Sequence, residues 1–177
     1  MTRRSLARSA AAAASLALLS ACIVNLSFDM KKTFPVQSDP AAPTSIAQSQ
    51  PVDLSQYAEI AAHKDQIKSL DLDYADATIT SRGPNNTATR VSGALKLRQD
   101  LADKDHDVKV GDLTNVSIAV GSTVRLNGNP TLDAFLLQQL QGQGKFYAVI
   151  EGTVDGQADL TLDVNLHASI GYETGGL

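Results

Sequence analysis

The sequence predicts a mainly β fold, an antiparallel β-sandwich of seven or eight strands with two short helices. The first observation is the strict alternation of apolar and polar residues over residues 159–170, the period of a strand with one buried face. The second is that shorter segments with the same alternation recur along the chain, separated by turn residues. The third is that only two segments have helical spacing. Antiparallel sheets commonly leave one face in water, and two such sheets can bury their apolar faces against each other.

The expected strands are defined by this alternation. They span residues 23–30, 70–79, 91–97, 108–110, 116–120, 146–154 and 160–170, and residues 124–126 either extend the fifth segment or form a strand of their own. Asp155-Gly156 lies between the last two strands, and this dipeptide is typical of a tight hairpin. Residues 35–51 hold four prolines among small polar residues, which predicts a Pro-rich loop.

Two segments are predicted to be helical. The first lies near 53–68, where Asp53 and Gln56 have the spacing of a capping box ahead of a helical apolar stripe. The second lies near 130–141, where Asn129 can cap the free amides and Pro130 occupies the first helical position.

The N-terminus has the pattern of an export signal. Three arginines precede an apolar run over residues 10–19, which is about half the roughly 20 residues that a membrane span needs. The run closes with Leu19-Ser20-Ala21-Cys22, and this cysteine is the only one in the chain. An ordinary secretory signal, in which the cysteine is incidental, is the alternative. The arginine pair also partly resembles a twin-arginine signal, against the alternative of an ordinary basic head.

Leu19-Ser20-Ala21-Cys22 resembles the lipobox of bacterial lipoproteins. The resemblance implies that Leu19, Ser20 and Ala21 are recognised, that the chain is cleaved before Cys22, and that acyl chains such as palmitate are attached to Cys22. The expected partner is therefore the membrane, and the expected location is the bacterial cell envelope with a lipid anchor. Ile23 stands where aspartate retains some lipoproteins in the inner membrane, which favours the outer membrane.

Removal of residues 1–21 leaves residues 22–177 as a single expected domain. The chain has 15 basic and 19 acidic residues, and three arginines lie in the signal, so the remainder carries 12 against 19, a net charge of −7. This acidic balance argues against nucleic acid as a partner. With Cys22 lipidated, no thiol remains for a disulfide or a metal site.

Candidate chemistry is sparse in this sequence. Asp103, Asp105 and Asp107 have the spacing that opens a calcium loop, but Val108 and Thr114 stand where that loop needs glycine and a bidentate acid. A solvated acidic loop is the better interpretation of this weak calcium candidate. The three histidines are scattered, and no catalytic motif or cofactor motif is present, so we expect no metal, no cofactor and no enzyme.

These observations favour a non-enzymatic envelope protein, a scaffold or protein-docking module with an envelope protein as a possible partner. The alternative is a carrier or binder of a lipid or other hydrophobic ligand, which a cavity reached past residues 131–142 would support. An enzyme ranks third. The strand that follows directly after Cys22 also resembles the start of small bacterial β-sandwich lipoproteins, and this resemblance carries no site residues with it.

Overall fold

The structure is a computed structural model that describes residues 22–39 and 41–174. Over these residues the predicted β-sandwich is confirmed: eight antiparallel strands form two four-stranded sheets, accompanied by two short helices. The elements are β1 (Cys22–Gln37), β2 (Ser45–Asp53), α1 (Ala58–His63), β3 (Ile67–Arg82), β4 (Arg90–Arg98), β5 (Val108–Ser117), β6 (Thr123–Asn127), α2 (Pro130–Gln141), β7 (Lys145–Val154) and β8 (Asp159–Thr174).

The strand order identifies the topology. The first sheet has the order β1-β8-β3-β6 and the second has the order β2-β7-β4-β5. Each of the first four strands therefore pairs with one of the last four, in reverse sequence order, as in a ribbon folded back on itself and wrapped into two sheets. This arrangement is an eight-stranded jelly roll.

The hairpin predicted at Asp155-Gly156 is wrong. β7 lies in the second sheet and β8 in the first, so this dipeptide crosses between the sheets. The Asp155 carboxylate accepts hydrogen bonds from the backbone N–H groups of Thr89 and Arg90, at 2.7 and 3.0 Å. Asp155 therefore fixes the start of β4, the strand that β7 pairs with, instead of closing a two-residue turn.

The Pro-rich loop predicted at 35–51 is also wrong over most of its length, because β1 continues to Gln37 and β2 begins at Ser45. Pro35 lies in β1 and Pro51 lies in β2. Both strands are at the edges of their sheets, where a missing N–H need not break a ladder. Pro40, within the connection, lies outside the described residues.

The first predicted helix is shorter and interrupted. Asp53 accepts a hydrogen bond from the Ser55 N–H, and a 3-10 turn covers residues 54–56. Tyr57 then has extended dihedrals, φ −93° and ψ 122°, which separate this turn from α1. A second 3-10 turn spans residues 64–66, and residues 67–68 already belong to β3.

The second predicted helix is confirmed at Pro130–Gln141, with the Asn129 side chain accepting from the N–H groups of Thr131 and Leu132. The segments predicted at 108–110 and 116–120 belong largely to one strand, since β5 spans Val108–Ser117. Residues 124–126 form a separate strand, β6.

The core lies between the two sheets and is closed by helices. α2 buries Leu132 and Leu136 completely and contacts β3. The segment 54–66 also packs against the core. Its Ile60 is buried, and the ring of Tyr57 lies 5.7 Å from that of Phe28 in β1. The long strands β1, β3 and β8, of 16 residues each, extend the first sheet toward Cys22.

Candidate functional site

Four charged side chains converge on the outer face of the second sheet, and we call Lys96, Arg98, Asp107 and Glu151 the ion cluster. Strand alternation directs Lys96 and Arg98 away from the core, because Leu95 and Leu97 point into it. Glu151 comes from the neighbouring strand β7, and Asp107 comes from the segment that precedes β5. The cluster therefore joins two strands and a loop.

The geometry of the ion cluster is that of a closed network. Arg98 donates two hydrogen bonds to Asp107, Nε to Oδ1 at 2.5 Å and Nη2 to Oδ2 at 2.7 Å, and a third to Glu151 Oε1 at 3.0 Å. Lys96 Nζ lies 2.8 Å from Glu151 Oε2 and 3.3 Å from Asp107 Oδ2. The side chains of Arg98 and Asp107 are 4% and 11% exposed. Two cations and two carboxylates balance, so the network is neutral.

These contacts shift the titration of all four groups. Hydrogen bonds from Arg98 lower the pKa of Asp107, and hydrogen bonds from Lys96 lower the pKa of Glu151, both against the opposing effect of burial. The same contacts raise the pKa of Arg98 and of Lys96. Beneath the cluster, Val149 is 2% exposed although it lies on the outer face, directly opposite Lys96 in the strand register. The side chains of the ion cluster thus shield Val149 from water.

An open groove of about 750 Å³ separates the 99–108 segment from α2, and we call it the acidic groove. Its apolar wall includes Val108, Ala134 and Phe135, and its polar rim includes Asp100 and Asp103. Phe135 is held edge-on against Phe146, with ring centroids 5.7 Å apart. A groove with this lining can take a ligand that combines an apolar part with a positive charge.

His106 also lies on the acidic groove, and its imidazole Nδ1 is 2.8 Å from both carboxylate oxygens of Asp103. The hydrogen bond with Asp103 raises the pKa of His106, and the pKa of Asp103 is lowered by the same contact. Both side chains are well exposed.

The calcium candidate Asp103, Asp105 and Asp107 is not assembled into a site. Asp103 pairs with His106, while Asp107 is bound by Arg98 and Lys96. Among residues 22–39 and 41–174 there is no group of three His, Cys, Asp or Glu side chains placed to hold a metal ion.

A second polar arrangement lies on the outer face of the first sheet, where Asp29, His167 and Tyr74 occupy one row across β1, β8 and β3. His167 Nδ1 lies 2.8 Å from Asp29 Oδ1, and Nε2 lies 3.9 Å from Asp73 Oδ2. The imidazole stacks on the Tyr74 ring with centroids 4.7 Å apart. The hydrogen bond from His167 lowers the pKa of Asp29.

The row continues to β6. The Arg125 guanidinium carbon lies 3.8 Å from the centroid of the Tyr74 ring. Arg125 also donates two hydrogen bonds to Asp76, at 2.8 and 2.6 Å, and these lower the pKa of that carboxyl. His167, which the sequence places on the solvent-facing side of the last strand, therefore belongs to a row of side-chain contacts that crosses all four strands of the first sheet.

A small cavity lies in the interior between the sheets. Its volume is about 30 Å³, and its lining is apolar, with contributions from Val36, Ile46 and Ile79. Such a space has about the size of one water molecule. No residue of the 131–142 segment lines it, whereas Ala134 and Phe135 of that segment line the open acidic groove.

The predicted recognition residues Leu19, Ser20 and Ala21 lie outside the described residues. β1 begins at Cys22, whose backbone pairs with Thr174 of β8. Lipid attachment to Cys22 stays a prediction. Within the part of the chain that the structure describes, no helix is both long enough and apolar enough to cross a membrane.

The ion cluster is the arrangement that the sequence did not reveal. Its only local signal is a pair of cations, Lys96 and Arg98, at alternate positions of an otherwise apolar strand. Their carboxylate partners lie 9 and 53 residues from Arg98 along the chain. Only the register between β4 and β7 brings Glu151 to this position.

Comparison with known proteins finds similarity in structure and none in sequence. The sequence matches no family model and no curated protein. The decameric BFDV capsid protein is 11% identical, with a TM-score of 0.46 over 84% of this chain and 99% of that chain. A Desmodium yellow mottle tymovirus structure is 11% identical, with a TM-score of 0.40 over 100% of this chain and 99% of that chain. The Macrobrachium rosenbergii nodavirus particle is 10% identical, with a TM-score of 0.38 over 87% and 97%.

These comparisons correct two expectations. The resemblance to bacterial envelope lipoproteins is contradicted: the similar solved structures named above are viral capsid proteins. The function as a scaffold or docking module, and its alternative as a hydrophobic-ligand carrier, are contradicted with it. At such low identity the likeness concerns the fold alone, and folds of this kind host unrelated functions.

Proposed function

We propose that this chain is a non-catalytic structural protein that stands on the surface of a bacterial membrane as a rigid spacer, held there by a lipid on Cys22. The observation that carries the proposal is that β1 is paired from Cys22 onward, with Thr174 opposite. The proposed lipid site and the folded block are therefore joined without a tether. β1 has 16 residues, so at about 3.3 Å per residue its far end lies roughly 50 Å from the anchor.

The charged side chains support a structural role, because they connect elements that are far apart in sequence. The ion cluster ties β4, β7 and the 99–107 segment together. Contacts of His167 and Arg125 link β1, β8, β3 and β6 across the other sheet. A spacer needs such cross-strand connections, because a block that shears or opens does not hold a fixed height.

The test is complementation in the bacterium from which the gene is deleted, with leakage of periplasmic contents as the measure of envelope integrity. One variant carries residues 23–177 behind a cleavable secretory signal, so that the folded block is exported without Cys22. A second variant, Asp103→Asn with His106→Gln, changes only the acidic groove. We expect the unanchored form to fail and the groove variant to restore integrity fully. Restoration by the unanchored form would contradict the proposal.

A second candidate function is the binding of a cationic group in the acidic groove, favoured by its apolar wall and the exposed carboxylates on its rim. Spermidine titrated into the 15N-labelled protein should shift backbone signals of residues 99–108 and 131–138. Asp103→Asn should weaken the shifts, whereas Asp112→Asn, an exposed carboxylate of a separate pair with Lys109, should leave them unchanged. Absence of shifts at millimolar spermidine would exclude this candidate.

A further inference from the structure

An exposed apolar patch lies directly after Cys22, and we call Ile23, Val24 and Leu26 the strand tip. These side chains are 64%, 38% and 36% exposed, and they are three of the five large exposed hydrophobic residues in the described chain. The other two, Leu101 and Val120, lie elsewhere. Singly exposed apolar residues need no explanation, whereas these three lie together within four positions of the chain.

The strand tip is apolar on both faces of the sheet. Alternation places Val24 and Leu26 on the same face as the buried Phe28, and it places Ile23 on the opposite face. β1 is an edge strand, so residues 23–26 are paired on one side only, with residues 170–173 of β8. A partner that covered one face of the sheet would leave Ile23 or Leu26 in water. A surface that receives the strand end-on covers all three.

The surroundings of the strand tip suit a boundary between apolar and polar phases. Tyr172 lies opposite Val24, and its half-buried ring stacks on that of His63 with centroids 3.8 Å apart. Lys68 pairs with Glu173 at 3.2 Å beside it. Aromatic residues with a polar end and long charged side chains are favoured at membrane interfaces, where each keeps its polar group wet.

We propose, on the basis of the lipid that the proposed function places on Cys22, that the strand tip enters the membrane interface and orients the sandwich upright. Its residues lie one to four positions from Cys22, or roughly 3–13 Å along an extended strand. Acyl chains on Cys22 would hold this residue within the membrane interface, where segments bury apolar side chains about 5–10 Å deep. The strand tip begins in this layer, and the rest of the sheet rises away from it.

The experiment uses the absence of tryptophan from the chain. Ile23→Trp is introduced into the full-length protein, which is purified in its lipidated form and reconstituted into phosphatidylcholine vesicles with brominated acyl chains. The matched control is Gln37→Trp, at the exposed far end of the same strand. We expect strong quenching and a blue-shifted emission for Ile23→Trp, and emission typical of water without quenching for Gln37→Trp.

Each outcome decides a separate claim. Mass spectrometry of the purified protein first reports whether Cys22 carries acyl chains, and their absence would refute the anchor in the proposed function. With the acyl chains present, unquenched emission from Ile23→Trp would overturn the strand-tip inference and leave the anchor intact. Equal quenching at both positions would also overturn it, because the sandwich would then lie flat on the bilayer.

Discussion

Removal of Arg98 tests whether the ion cluster stabilises the sandwich. Arg98→Met keeps most of the length of the side chain but leaves Asp107, 11% exposed, with Lys96 at 3.3 Å as its remaining cation in the cluster. The cluster then carries a net charge of −1. Breaking a buried pair by removing one partner costs about 3–5 kcal/mol, and because Lys96 remains we expect the lower value, about 3 kcal/mol.

Urea unfolding followed by far-UV circular dichroism measures this loss of unfolding free energy. In thermal unfolding, the same loss should lower the Tm of a chain of this size by about 6–12 °C. Asp107→Asn and the double variant complete a thermodynamic cycle, for which we expect a coupling energy of about 2 kcal/mol. Lys109→Met is the matched control. Its pair with Asp112 is exposed, so the expected loss is no more than about 0.5 kcal/mol. A loss below about 1 kcal/mol for Arg98→Met, with no coupling, would refute the reasoning.

The same cluster has a pH dependence with a definite sign. The pKa of Asp107 in the folded protein lies below its unfolded value of about 3.9, because Arg98 donates hydrogen bonds to the carboxylate. The unfolded chain therefore binds more protons in this range, so the contribution is complete above about pH 5 and is lost as pH falls through the folded pKa. Arg98→Met should lose less stability than the wild type between pH 5 and pH 2. An unchanged acid slope would contradict this assignment.

Three further predictions concern other parts of the sandwich. Asp29→Asn should flatten the loss of stability below about pH 4, because the pKa of Asp29 is lowered by the hydrogen bond from His167, and acid titration followed by circular dichroism measures this. Leu136→Ala should cost about 3 kcal/mol in urea unfolding, since this side chain is fully buried where α2 meets the core, and a loss under about 1 kcal/mol would show that α2 is not part of the cooperative unit. Asn129→Ala should cost about 1 kcal/mol by the same assay through loss of the helix cap, whereas Asn129→Asp should cost little.

The sequence predicts the faces of the strands better than their neighbours. Alternation depends on local contact with water or core, so it identifies Leu160, Leu162 and Leu166 as buried and His167 as outward-facing. Sheet membership depends on pairing between distant segments, which no short pattern records. Asp155-Gly156 illustrates the difference. This dipeptide is typical of a hairpin turn, but β7 pairs with β4 and not with β8, and the Asp155 carboxylate accepts hydrogen bonds from N–H groups at the start of β4.

Two local rules gave wrong boundaries for physical reasons. Pro35 and Pro51 indicate a loop only if a strand needs every N–H, and both lie on edge strands. The spacing of Asp53 and Gln56 indicates a capping box, but Tyr57 adopts an extended conformation while its ring packs near Phe28. In the same way, Glu151 could not be assigned to a site from sequence, because its partners come together only through the strand register.

The height of the far end of β1 above the bilayer tests the central claim most directly. Because the proposal places a lipid on Cys22, Gln37→Cys would supply a single reactive thiol for a donor dye, with acceptor dyes in the membrane of a nanodisc that holds the lipidated protein. An upright sandwich without a tether predicts one narrow distribution of donor heights, centred roughly 50 Å above the anchor. A broad distribution, or a height close to the lipid headgroups, would contradict a rigid spacer standing on the membrane.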